Sequence, residues 1–189
     1  MRIVAGRHKG RNIQAPSGTD IRPTTDRVRE SVFNILEHRG LGDGGLSILS
    51  DARVLDAFCG TGACGLEALS RGARHVTFLD NSKTAIDLCR RNIAALKEQD
   101  RTEVLRSDCL KPVRPPQPYD LVFMDPPYNQ NLAAGTLRSF ANAGWIAANG
   151  ICIVETGLDE KIESPDEFEM LEDRKYGRSR VRIFRHTKN

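Results

Sequence analysis

The sequence predicts an α/β protein whose mostly parallel sheet is covered on both faces. Three observations predict it. From Val54 onward, short apolar runs of strand length alternate with amphipathic stretches of helix length. The run Val54-Leu55-Asp56 passes directly into a glycine-rich turn that opens a helix. Two further strand-like runs close the chain with no helix between them, which implies an antiparallel finish.

The elements follow in order. Residues 2–5 and 11–15 are strand-like and flank Gly6-Arg7-His8-Lys9-Gly10, so they read as a basic β-hairpin with glycines at its turn. Residues 16–25 are loop. Asp26 caps a helix whose apolar face is Val28, Val32, Ile35 and Leu36. Glycines at 40, 42, 44 and 45 end it. Then come a strand ending at Asp56, a helix from Gly65 to Leu69, a strand over 75–79 and a helix over 82–96. Strands at 102–106 and 119–124, a helix at 132–143 and a strand at 150–155 continue the alternation. Runs at 168–171 and 180–184 finish it. The expected division is a basic N-terminal extension over residues 1–25 and one α/β domain over 26–189.

The 189 residues carry a formal net charge of +3, which hides an asymmetry. Residues 1–30 hold seven Lys/Arg against three Asp/Glu, and residues 174–189 hold seven Lys/Arg and no acid. The central body is acidic. Both basic ends carry strand patterns, so they read as folded surfaces that attract a polyanion. No apolar stretch is long enough to cross a membrane, and no secretory signal is expected from the first residues. Five scattered cysteines without a C-x-x-C argue against a disulfide framework and against structural zinc, and for a reduced cytoplasm. The four histidines have no ligand spacing and read as surface or strand-edge residues; no metal is expected.

Gly60, Gly62 and Gly65 match G-x-G-x-x-G, and Asp80 follows where a ribose-binding acid belongs. A dinucleotide is the first candidate. Electrostatics argues against it. Asp56, Asp80, Asp108 and Asp125 all fall at the C-terminal ends of predicted strands, where they would surround one crevice and repel a pyrophosphate. They suit a ligand carrying an ammonium and a sulfonium, S-adenosyl-L-methionine.

The run Asp56-Ala57-Phe58-Cys59-Gly60-Thr61-Gly62, followed by Asp80 and Ser107-Asp108-Cys109, resembles class I S-adenosylmethionine-dependent methyltransferases. That resemblance implies a Rossmann-like, mostly parallel seven-stranded sheet. It also implies cofactor contacts from Asp56, Phe58 and the 60–62 backbone at the methionine end, Asp80 and Asn81 at the ribose, and Asp108 and Cys109 at the adenine. Asp125-Pro126-Pro127-Tyr128 resembles the signature of enzymes that methylate planar amino nitrogens. In that setting Asp125 and the Pro126 carbonyl accept the two N–H bonds of the amine. Pro127 stiffens the turn and Tyr128 offers a stacking face.

The N-terminal Arg2-Ile3-Val4-Ala5-Gly6, the segment Arg22-Pro23-Thr24-Thr25-Asp26-Arg27-Val28-Arg29-Glu30-Ser31 and Tyr176-Gly177 resemble the bacterial 16S rRNA guanine-N2 methyltransferase family, which acts on guanine 966. The resemblance covers nearly the whole chain. It implies 16S rRNA, in an assembled or assembling 30S subunit, as partner; a monomer is the default expectation, in the cytoplasm that the cysteines suggest. It adds Arg22 and Thr24 to the cofactor site. Arg29 reads either as another site residue or as half of a surface pair with Glu30. Arg2, Arg7, Lys9 and Arg11, with Arg178, Arg180 and Arg182 alternating on the last strand, are the expected RNA contacts. A DNA adenine or cytosine amino methyltransferase and a non-catalytic RNA-binding assembly factor are the competing readings. Trp145 and Tyr176 read as packing residues.

Overall fold

Runs such as Leu121-Val122-Phe123-Met124 have no polar face, so they form strands buried on both sides. The computed structural model describes residues 1–15, 26–128 and 130–188. Arg22 and Thr24 lie outside the described residues.

Helix α1 spans Asp26–His38, β1 Arg53–Ala57, α2 Ala63–Ser70, β2 His75–Asp80, α3 Lys83–Leu96, β3 Thr102–Arg106 and β4 Tyr119–Met124. Helix α4 spans Leu132–Asn142, β5 Ile146–Gly157, β6 Phe168–Tyr176 and β7 Ser179–His186. Among the described residues these strands form one seven-stranded sheet in the order β3-β2-β1-β4-β5-β7-β6. The first five are parallel; β7 runs antiparallel to both β5 and β6. The expected architecture is therefore present.

Alternate residues of each strand feed two cores. Val54, Phe78, Leu121, Phe123 and Ile153 meet α1, α2 and α3 on one face. Leu55, Leu79, Val122, Met124 and Val154 meet α4 on the other. Trp145 packs there, stacked between Phe140 and Tyr119. Tyr176 packs on the first face, its hydroxyl 2.8 Å from Ser31 Oγ. Two histidines differ from the surface expectation: His8 meets the buried Glu98 carboxylate, and His186 is buried against Phe168.

The N-terminal hairpin is a second difference. It is shorter than expected: one antiparallel bridge, Arg2 to Asn12, flanked by bonds from Ile3 N–H to the Arg11 carbonyl and from Ile13 N–H to the Met1 carbonyl, around a 3-10 turn over Gly6–His8. The reason is competition for backbone amides. The Val4 and Ala5 N–H groups donate to the fully buried Glu67 carboxylate on α2, at 2.8 and 2.9 Å, so no strand ladder continues. Ile3 and Ile13 enter the core beside α2. Further on, the Asn92 side chain of α3 accepts from Gln14 N–H and donates to the carbonyls of Gln14 and Thr61. The arm is thereby joined to the glycine loop.

Gly6 makes this docking possible. Its φ is +75°, and a Cβ there would lie 1.9 Å from the Ser70 carbonyl oxygen. Gly6→Ala is expected to destabilise the fold by roughly 3 kcal/mol, because backbone strain and a backbone clash act together. Urea denaturation checks it; a loss below about 0.5 kcal/mol, the level of an ordinary surface substitution, would show that the arm is not rigidly docked.

The last strand also departs from expectation. Arg182 was expected on an exposed ridge. However, β7 lies between β5 and β6, and Arg182 is 4% exposed, donating to Thr156 Oγ1 and the Glu160 carbonyl. Arg180 is clamped by both oxygens of Asp173. Of the three, Arg178 in the β6–β7 turn projects as an exposed residue.

Candidate active site

Parallel order brings five acids to one edge. Asp108 follows β3, Asp80 ends β2, Asp56 lies in β1, Asp125 follows β4 and Glu155 lies near the end of β5. Their lateral sequence is that of the strands, so the acids form a row across the C-terminal edge. Four were expected from sequence. Glu155 was missed, although an acid closing the apolar run Ile151-Cys152-Ile153-Val154 follows the same pattern as Asp56 and Asp80.

The glycine loop joins β1 to α2. Phe58, Gly60 and Gly62 all have positive φ, at 57°, 52° and 77°. Gly62 precedes the first residue of α2, and a Cβ there would lie 2.7 Å from Cys89 Sγ. Asp80 fixes the loop, accepting from Gly60 N–H at 3.0 Å and from Ser82 N–H at 2.9 Å. Thr61 is buried, whereas Asn81 is exposed. Asp108 is exposed and accepts from Leu110 N–H; Cys109 beside it is buried.

Asp56 is 4% exposed and accepts from Gly65 N–H at 2.8 Å. Burial pushes its carboxyl up to about 7; the Gly65 bond pulls the other way, and the Asp80 charge pushes further up. Ionised, this carboxylate is poorly compensated by the chain around it. An organic cation would supply the missing compensation.

A cavity opens beside it. It is lined by Arg29, Phe33, Asp56, Phe123, Asp125 and Glu155, among others. Phe123 pairs with Asp56 on β1 and with Ile153 on β5, so these side chains share the face that meets α1. Arg29 is 1% exposed and is no surface helix pair: its Nη2 donates to the Arg2 carbonyl and to Asp26 Oδ1. Asp125 is half-buried, Pro126 buried and Pro127 exposed. Tyr128 donates its hydroxyl to Glu155 Oε1 at 2.9 Å. Burial, then the charges of Asp125 and Glu155, push the Tyr128 phenol up, so it stays a donor. Cys64 in the same wall is also pushed well up by burial and by Asp56, which keeps it a neutral thiol and a poor nucleophile.

Among the described residues, no group of three or more His, Cys, Asp and Glu could hold a metal ion, and no helix is long and apolar enough to cross a membrane. On the arm, Arg2, Lys9, Arg7 and Arg11 are exposed; Arg7 pairs with Glu98 at 2.8 Å and Arg11 donates to the Ala95 carbonyl.

Comparison with known proteins gives a consistent picture. Ribosomal RNA small subunit methyltransferase D of Haemophilus influenzae is 32% identical over 190 residues, covering 98% of this chain and 94% of the relative. The protein of that name from Escherichia coli is 30% identical over 185 residues, covering 97% and 89%. A solved Escherichia coli methyltransferase superposes with a TM-score of 0.84 at 30% identity, covering 100% of this chain and 99% of that one. The family described as conserved hypothetical protein 95 matches residues 1–185. Matched over almost its entire length, the chain belongs to that family, within the Rossmann-like class I methyltransferases.

Proposed function

We infer that the chain transfers a methyl group from S-adenosyl-L-methionine to the exocyclic N2 amino group of a guanine in small-subunit 16S rRNA, the guanine 966 type of the sequence resemblance. The row of carboxylates running from the glycine loop to Asp125-Pro126-Pro127-Tyr128 carries this reading. The relatives' names support rRNA as the substrate class.

The residues present fit the cofactor. A buried carboxyl raised to about 7 is suited to an ammonium, and the glycine loop leaves backbone open to close approach. Asp56 with Gly60, Thr61 and Gly62 would hold the methionine end, beside Phe58. Asp80 and Asn81 would hold the ribose, Asp108 and Cys109 the adenine. When bound, S-adenosylmethionine supplies a methyl carbon activated by its sulfonium and leaves as a neutral thioether.

The remaining work falls to β4 and the loop after it. An aromatic amine is a poor nucleophile because its lone pair is shared with the ring. Asp125 accepts one N–H and the Pro126 carbonyl the other, which turns the nitrogen lone pair out of conjugation and aims it. Pro127 keeps that turn stiff, and Tyr128 stacks on the base. As the nitrogen is alkylated it becomes acidic, and Asp125 already holds one of its protons. Most of the rate comes from positioning and local charge.

The exposed Arg2, Arg7, Lys9, Arg11 and Arg178 supply phosphate contacts, so binding weakens with salt. On this reading the protein works as a monomer in the cytoplasm on the 30S subunit or its precursor. Mass spectrometry of 16S rRNA nucleosides from cells with and without the gene tests it. N2-methylguanosine at one mapped guanine should vanish with the gene; an unchanged profile, or preferred methylation of duplex DNA by the purified protein, would refute it.

A further inference from the structure

We propose that Glu155 reads the N1–H of the target guanine and so selects guanine among the bases. The inference rests on the amino-nitrogen reading above. It starts from the order of the strands. The cofactor acids belong to β1, β2 and β3, on one side of the row, and Asp125 follows β4. Glu155 lies one strand further out, so it flanks the amine-holding loop on the side away from the cofactor acids.

Register makes the pairing specific. Met124 on β4 pairs with Val154 on β5, so Asp125 and Glu155 are the next level and share a face. Both line the cavity with Asp56 and Arg29. Glu155 is 8% exposed, which is deep for a carboxylate near the end of a strand. Tyr128 donates to its Oε1, which fixes the carboxylate's rotamer and ties it to the stacking residue. A carboxylate offers about four acceptor positions, and the Tyr128 hydroxyl takes up one of them.

Guanine presents two adjacent donors on its Watson–Crick edge, N1–H and the amino group. Two adjacent acceptors, Glu155 and Asp125, are complementary to that pair. Adenine has a bare lone pair at N1, and cytosine one at N3, beside the amino group. Either would face the Glu155 carboxylate with no proton between them. A site built to accept one hydrogen bond rejects an analogue that lacks the donor, because the buried acceptor is left unpaired. Tyr128 and Glu155 thus act together: one holds the ring plane, the other reads its edge.

The test uses small-subunit rRNA carrying either guanine or 2-aminopurine at the methylated position. 2-Aminopurine keeps the amino group and has a bare N1. The wild-type protein should prefer guanine by about a hundredfold or more in kcat/KM. Glu155→Gln offers an amide that donates to a bare N1, so it should slow transfer to guanine and speed transfer to 2-aminopurine, shrinking the preference at least about tenfold. Equal slowing on both substrates would overturn the inference, while wild-type transfer to guanine kept the proposed function standing. Wild-type transfer to neither base would sink both. Should Glu155→Gln not fold, Glu155→Asp retracts the carboxylate by one methylene. It should slow guanine alone, and equal losses on both substrates would again refute the role.

Discussion

Asp125→Ala lowers methyl transfer by about a thousandfold or more and leaves the affinity for S-adenosylmethionine within about threefold of wild type, less than 1 kcal/mol. The asymmetry follows from strand order. Asp125 follows β4, whereas the side chains assigned to the cofactor sit on β1, β2 and the loop after β3, each with its own anchor. Asp80 still holds Gly60, and Asp56 still holds Gly65, when Asp125 is gone. On the proposed reading the variant instead loses the acceptor that holds one N–H of the amine, an interaction worth most as charge develops on nitrogen. Calorimetry with the cofactor and single-turnover transfer to 30S subunits measure the two quantities. Transfer within tenfold of wild type would remove Asp125 from its role.

Asp56→Asn produces the opposite pattern: a more stable ligand-free protein that binds the cofactor poorly. The Asp56 carboxyl is raised from its ordinary range to about 7, chiefly by burial. Between about pH 4 and pH 7 the folded protein therefore holds this proton more tightly than the unfolded chain does. Raising pH through that window lowers stability, and the full penalty is present above pH 7. Asparagine keeps an acceptor for Gly65 N–H and carries no charge. The variant should match wild type near pH 4 and exceed it by roughly 2–4 kcal/mol at pH 8. A cofactor ammonium reverses the sign, because it stabilises the ionised form. Affinity should therefore fall about ten- to a hundredfold in the variant, and in wild type it should weaken as pH drops below 7. Urea midpoints and calorimetry at pH 4, 6 and 8 check all three. A variant with unchanged affinity would show that Asp56 does not meet the cation.

The parts of this molecule that were legible in the sequence are those whose meaning is local. A strand running into glycines must turn, and an acid ending an apolar strand must reach the sheet edge; Asp56, Asp80, Asp108 and Asp125 all arrive there. What was illegible depended on which strands become neighbours. Alternating arginines look alike on an edge strand and on an inner one, so the burial of Arg182 came only with the placement of β7 between β5 and β6. Arg29 sits on a helix beside Glu30, and only the packing of α1 over the sheet sends it inward. The hairpin is shorter than expected for a similar reason: the acceptor of the Val4 and Ala5 amides, Glu67, lies 63 positions from Val4 in sequence.

Five carboxylates along one rim also act as a sieve on a polyanion. For the RNA substrate proposed above, phosphodiesters are repelled at that edge whereas the uncharged bases are not. That keeps backbone off the rim, and the exposed basic arm is the surface the proposed function gives it instead. On that reading the rim favours a single neutral, planar nucleobase swung out of its stack over the sugar and phosphates that carry it.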